Sequence, residues 1–69
     1  MRHSRTHLER AVEAFNADTP PGTPVVVLTF LGRRITTRTA SKASLTSAGP
    51  AVFVMGVRER CDLSRVVPA

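Results

Sequence analysis

A run of basic side chains without an acidic neighbour lies in the middle of this sequence. Residues 29–42, TFLGRRITTRTASK, contain no Asp or Glu and hold four of the ten Arg and Lys residues, namely Arg33, Arg34, Arg38 and Lys42. A guanidinium group binds phosphate or carboxylate through a planar fork of N–H donors. The segment therefore indicates an anionic ligand, either nucleic acid or an acidic protein surface. The alternative is the solvated polar face of a strand, whose charges only keep the protein in solution.

The charge of the whole chain agrees with an anionic ligand. The 69 residues carry a formal net charge of +5, and nine of the ten basic residues are Arg. Three further arginines follow in the C-terminal part, so the candidate binding residues are Arg33, Arg34, Arg38, Lys42, Arg58, Arg60 and Arg65. A GC-rich genome, which favours Arg codons, produces the same bias. Composition alone therefore does not choose between a binding surface and a solvated one.

Other residue types that do chemistry are sparse. His3 and His7 are spaced i, i+4, but no further metal ligands lie near them in the sequence. The single Cys61 excludes an internal disulfide and a zinc site built on several thiolates. Arg58 and Arg60 would favour a lowered pKa for Cys61, yet no neighbouring base completes a nucleophilic site. No Ser-His-Asp spacing is present. We therefore expect a non-enzymatic protein with no catalytic residue, metal or cofactor.

The N-terminal part of the chain predicts a helix over residues 6–15. Thr6 and Glu9 have the spacing of a capping box, in which each side chain satisfies the backbone N–H of the other residue. Asn16 follows the predicted helix, and Asn readily adopts the left-handed conformation that ends helices. Apolar side chains recur at i, i+3, i+4 and i+7 in this segment and form one stripe, made of Leu8, Ala11, Val12 and Phe15.

The rest of the chain predicts short strands separated by turns. Pro21-Gly22 suits a type II turn, and Leu31-Gly32 predicts a tight turn between two strands. Residues 25–30 form a continuous run rich in β-branched and apolar side chains, which favours a strand buried on both faces. Residues 33–39 are Thr-rich and mostly polar. On a strand their alternation places Arg34, Thr36 and Arg38 on one face, and Ile35 and Thr37 on the other. Residues 51–55 predict a second apolar strand, and a last short strand ends near residue 67.

This pattern favours a mainly β protein. One helix followed by strands with turns every eight to twelve residues predicts a small antiparallel barrel of four or five strands, of the SH3-like type. We expect a single domain over residues 1–69, with the helix at about 6–15 and the barrel at about 24–67. The three aromatic residues, Phe15, Phe30 and Phe53, then fall at core positions. Stacking of single-stranded bases on exposed rings is consequently not expected.

A membrane partner is not predicted. Apolar runs such as residues 25–28 are far too short to cross a bilayer. The basic residues Arg2 and Arg5 precede no apolar stretch of the kind found in secretory signals. We expect a cytoplasmic protein.

Four segments resemble a family of short proteins encoded by bacteriophages, by prophages and by the bacteria that host them. These segments are FNADTPPGTPVVV, TRTASKASL, GPAVFVMG and CDLSRVVP, and the resemblance covers residues 15–68. The family pattern reads PxGTPV, TRTxSxA, VVxVxG and LxxVxP in that order. This chain departs from it with Met55 where Glu is common, with Arg65 where His is common, and without an aromatic Trp or Tyr in the first strand. The resemblance implies a small β-barrel of phage origin with no established active site.

Taken together, these features predict a phage-derived accessory protein in the cytoplasm of a bacterial host. In this hypothesis, residues 33–42, helped by Arg58, Arg60 and Arg65, engage nucleic acid or a nucleoprotein complex. A second hypothesis is a stoichiometric protein inhibitor of a host defence system, of the anti-CRISPR kind, because an Arg-rich face also suits an acidic protein surface. A third is assembly, either as a homodimer through a Val-rich sheet edge or on a larger complex.

Overall fold

The computed structural model describes the backbone of residues 2–69 and the side chains of residues 6–69. One helix is followed by six short strands and a single 3-10 turn. The elements are α1 (Arg2–Asp18), β1 (Pro24–Leu28), β2 (Arg34–Arg38), β3 (Ser44–Thr46), β4 (Gly49–Val52), β5 (Cys61–Asp62), the 3-10 turn Leu63–Arg65 and β6 (Val66–Pro68). The side chain of His3, one half of the i, i+4 histidine pair, lies outside the described side chains.

Helix α1 is longer at both ends than residues 6–15. Thr6 lies inside the helix and does not cap it. Asn16 does not end the helix either, since no described residue other than glycine has a positive φ. The side chain of Asn16 instead bonds the backbone of Ala43. Its Oδ1 accepts the Ala43 N–H at 2.7 Å, and its Nδ2 donates to the Ala43 carbonyl at 3.1 Å. The helix ends at Asp18, just before Pro20 and Pro21.

The strands form two three-stranded antiparallel sheets. The first sheet has the order β2-β1-β6, and the second has the order β3-β4-β5. An isolated antiparallel bridge between Thr39 and Val54 links the two. A mainly β protein with an N-terminal helix is confirmed, with six short strands in place of four or five. Over residues 2–69 the sheets do not close into a barrel, so the SH3-like barrel stays a prediction.

The core lies between the inner faces of the sheets and one side of the helix. Its buried side chains are Val25, Val27, Ala43, Val52, Val54 and Val66, with Val12, Phe15 and Leu63 packed against them. Strand β1 was expected to be buried on both faces, and this is wrong. Helix α1 packs against β3 and β4, so the outer face of the first sheet is left without a covering layer, and Leu28 is exposed there.

Both predicted turns are present. Gly22 has φ +92°, and the Thr23 N–H donates to the Pro20 carbonyl at 3.1 Å, as in a type II turn. Gly32 has φ +78°, and its N–H donates to the Thr29 carbonyl at 3.0 Å. A left-handed φ is unfavourable for residues with a Cβ atom. The second turn closes the β1–β2 hairpin, whose residues 29–33 we call the hairpin tip.

A fully buried threonine fixes the proline-rich turn to the end of β2. The Thr39 hydroxyl donates to the Pro20 carbonyl at 3.0 Å and accepts the Thr23 N–H at 3.2 Å. We expect Thr39→Val, which keeps the shape but loses both bonds, to lower the free energy of unfolding by about 1–2 kcal/mol. Urea denaturation measures this change. Thr39→Ser keeps the hydroxyl and serves as the control; a larger loss for Ser than for Val would show that methyl packing matters more than the hydrogen bonds.

No helix among the described residues combines the length and the apolar character needed to cross a bilayer.

Candidate functional site

The outer face of the first sheet carries two arginines in line. Antiparallel pairing places Arg34 opposite Leu28 and Arg38 opposite Pro24, and directly opposed residues point to the same side of a sheet. Val25 and Val27 occupy the inner side, so the arginines point outward. We call the outward-facing residues of this sheet the basic sheet face; they are Pro24, Val26, Leu28, Arg34, Thr36, Arg38 and Val67.

Further arginines adjoin the Arg34 end of the basic sheet face. Arg33 precedes Arg34 in the hairpin tip and is exposed. Arg65 Nη1 donates to the carbonyl oxygen of Leu28 at 3.4 Å, and Leu28 is the residue paired with Arg34. The guanidinium carbon of Arg65 also lies 4.3 Å from the ring centroid of Phe30, within the range of a cation–π contact. Three basic side chains and one aromatic ring therefore gather around the hairpin tip.

Arg38 marks the other end of the face. Its Nη1 donates to the Gly22 carbonyl at 3.0 Å, which uses one of the five N–H donors of the guanidinium group. At about 3.3 Å per residue, Arg34 and Arg38 are separated by about 13 Å along β2. The two charges are far enough apart to contact different groups of an extended polyanion.

The remaining predicted basic residues do not join this face. Strand β2 ends at Arg38, and the next residue, Thr39, is buried. The backbone has left the first sheet at Lys42, so Lys42 does not continue the row of Arg34 and Arg38. The strand part of the predicted ribbon therefore ends at Arg38, and a binding role for Lys42 stays a prediction.

Arg58 and Arg60 lie beside the second sheet. They line an open groove of about 550 Å³ whose other charged members are Glu59 and Asp62. Because two carboxylates share this groove with two guanidinium groups, it offers an anion much less attraction than the basic sheet face, where the paired residues include no acid.

Two of the three phenylalanines are on the surface, contrary to expectation. Phe30 is 90% exposed and Phe53 is 42% exposed, whereas Phe15 packs against the core. Strand β1 ends at Leu28, so Phe30 falls in the hairpin tip. Val52 and Val54 take the inner positions around Phe53, and alternation turns Phe53 outward. The position of Phe30 two residues before Gly32 was the sequence signal for a tip residue.

Cys61 does not have the properties of an activated thiol. Burial raises the pKa of its thiol, which corrects the expectation of a pKa lowered by Arg58 and Arg60. Since the neutral thiol then persists to higher pH, we expect iodoacetamide to alkylate Cys61 at pH 8 more slowly than free cysteine. Thiol labelling followed by mass spectrometry measures the rate. Labelling faster than that of free cysteine would contradict this environment.

The neighbouring carboxylate has a structural role. Asp62 Oδ1 accepts the Ser64 N–H at 3.0 Å and the Ser64 hydroxyl at 2.9 Å, and so caps the 3-10 turn. Both bonds hold the pKa of Asp62 below its ordinary value, and the bond from the backbone N–H of Ser64 has the larger effect. Within the described part of the chain, no group of three or more His, Cys, Asp or Glu side chains is placed to hold a metal ion.

No protein-family model, no curated protein and no solved structure matches the chain.

Proposed function

We propose that the protein binds nucleic acid, alone or within a nucleoprotein complex, through the basic sheet face and without enzymatic activity. The observation that carries this proposal is the outward alignment of Arg34 and Arg38 on β2, with Arg65 beside Leu28 at one end. Guanidinium groups on an exposed, acid-free face favour the phosphate backbone over other partners.

The remaining side chains of the face suit the same ligand. Thr36 adds a hydroxyl between the two arginines, and hydroxyl groups commonly bond to phosphate oxygens. Val26, Leu28 and Val67 provide an apolar surface against which sugars can pack. Contacts to about four phosphates would give weak, salt-sensitive affinity in the micromolar range. Lys42, Arg58 and Arg60 act in this proposal through the overall positive field, which speeds the approach of a polyanion.

We also propose a finer fold and an origin. In this view the two sheets are the halves of a small SH3-like barrel in a cytoplasmic protein of a bacterial host, related to the phage and prophage family with the PxGTPV and TRTxSxA segments. What supports the barrel is the antiparallel pairing throughout both sheets and the bridge between Thr39 and Val54. What supports the family is the order and spacing of the four sequence segments.

Fluorescence anisotropy with labelled single-stranded and duplex oligonucleotides tests the binding function. We expect saturable binding at low salt, with a slope of log K against log salt of about −3 for four phosphate contacts. Two results would end the proposal: absence of binding at low ionic strength, or an affinity that does not change with salt.

A second candidate function is stoichiometric inhibition of a host defence protein. Phe30 and Leu31, 90% and 87% exposed at the hairpin tip, next to Arg65, favour it because aromatic and Arg side chains dominate binding energy at protein interfaces. The partner would present an acidic surface. Tagged protein should then isolate one host complex in a fixed ratio, and recovery of only mixed acidic proteins would count against inhibition. Size-exclusion chromatography of the pure protein separately tests a homodimer.

A further inference from the structure

The ring of Phe30 lies on the surface against a guanidinium group. It is 90% exposed in the hairpin tip, and the Arg65 guanidinium carbon lies 4.3 Å from its centroid. The same guanidinium donates to the Leu28 carbonyl at 3.4 Å, so the cation contacts both the ring and the edge of the sheet. One face of the ring is therefore occupied by a positioned cation, and the exposure leaves the opposite face open.

The surroundings of the ring are positive. Arg33 and Arg34 follow it in the chain, and residues 28–38 contain no acidic residue. An aromatic ring with an open face beside several guanidinium groups matches a nucleotide, which presents a flat base next to a phosphate. Proteins that bind single strands combine these two elements, a basic surface for the backbone and rings for the bases.

We propose that Phe30 is a stacking platform for a base of single-stranded nucleic acid, with Arg34 and Arg65 contacting the phosphates on either side of that base. This inference rests on the proposed nucleic-acid function and names its substrate class. A duplex does not offer a base to Phe30, because its bases are already stacked on one another and present no free face to the hairpin tip. The basic sheet face then carries the strand onward from Arg34 towards Arg38.

Leu31 allows stacking on an aromatic ring to be distinguished from general apolar contact. It is 87% exposed and adjoins Phe30, so an apolar pocket of a protein or a lipid surface would engage both side chains. A base stacks on Phe30 but gains little from an aliphatic neighbour. The two residues are thus a matched pair, similar in exposure and different in ring character.

Anisotropy titrations of the full chain with a single-stranded oligonucleotide, its duplex and an abasic strand of equal length test the proposal. We expect tighter binding of the single strand than of the duplex. Phe30→Ala should weaken single-strand binding by roughly 5- to 100-fold and weaken duplex binding much less, only through the lost contact with Arg65. The abasic strand should bind the unmodified protein as weakly as the normal strand binds the variant. Leu31→Ala should change neither affinity by more than about twofold.

A fluorescent variant gives an independent readout. The sequence contains no Trp, so Phe30→Trp introduces a single indole whose emission should be quenched when a base stacks on it. Equal losses for Phe30→Ala and Leu31→Ala, or binding that is equal for all three ligands and insensitive to Phe30→Ala, would overturn the stacking role while leaving the nucleic-acid function in place. Failure to bind any of the three ligands would overturn the proposed function itself.

Discussion

Replacing both Arg34 and Arg38 with glutamate should abolish nucleic-acid binding. The two guanidinium groups lie on the same outward face of β2, and a hydrogen bond to a charged group contributes about 1.5–3 kcal/mol. Loss of two such bonds predicts an affinity at least roughly 100-fold lower, and the new carboxylates also repel phosphate. Anisotropy at low salt measures the loss. Arg38 also donates to the Gly22 carbonyl, so the double substitution removes a contact within the fold. Circular dichroism is therefore needed to establish that the variant is folded.

The second sheet provides a control with the same change in charge. Arg58→Glu with Arg60→Glu lowers the net charge by the same amount, but these residues share their groove with Glu59 and Asp62. We expect this pair to weaken binding only a fewfold, through the reduced overall field. If both double variants lose the same affinity, total charge and not the basic sheet face determines binding.

Asn16→Ala should destabilise the fold more than Thr39→Val does. Asn16 bonds both backbone groups of Ala43, at 2.7 Å and 3.1 Å, and thereby attaches the helix to the chain leading into β3. Ala43 is buried, so its N–H and carbonyl would lose their partners together. We expect a loss of about 2–4 kcal/mol in the free energy of unfolding. A domain of this size often has only about 3–5 kcal/mol, and much of the population would unfold.

Asn16→Asp separates the two bonds. A carboxylate still accepts the Ala43 N–H, but its second oxygen repels the Ala43 carbonyl that Nδ2 bonds in the unmodified protein, so more than half of the destabilisation should remain. Urea denaturation of the three proteins measures the difference. A midpoint for Asn16→Ala indistinguishable from that of the unmodified protein would show that the helix is attached by apolar packing alone.

Local chemistry made several elements predictable. Glycines at positions 22 and 32 are the residues that adopt a positive φ most readily, so both turns follow from the sequence. The alternation of β2 likewise predicts the common face of Arg34 and Arg38, since side chains on a strand alternate by geometry. The apolar stripe of the helix indicated its inner face, and Val12 and Phe15 do contact the core.

Features that depend on tertiary contacts were not predictable. The capping signals at Thr6 and Asn16 suggest a short helix, but the bond from Asn16 to Ala43 joins residues distant in the sequence and leaves the helix free to continue. Whether a Val-rich strand is covered on one face or two depends on where the helix packs. Phe30 follows a valine-rich run in the sequence, and the nearby Gly32 was the one local sign that β1 ends at Leu28 and leaves Phe30 in the hairpin tip.

The central position of β1 affects how the chain must be produced. One neighbour of β1 is the next strand in sequence, β2, but the other is β6. The pairing of Val27 with Val66 can therefore form only after residue 66 has been synthesised. During synthesis the β1–β2 hairpin therefore emerges with an unpaired, valine-rich edge that can recruit strands from other chains. Arg34 and Arg38 on the neighbouring strand are then the charges beside this apolar strand, and charge in such a position generally opposes aggregation. Glutamate serves that purpose equally well, so the doubly reversed variant should remain as well expressed as the natural sequence.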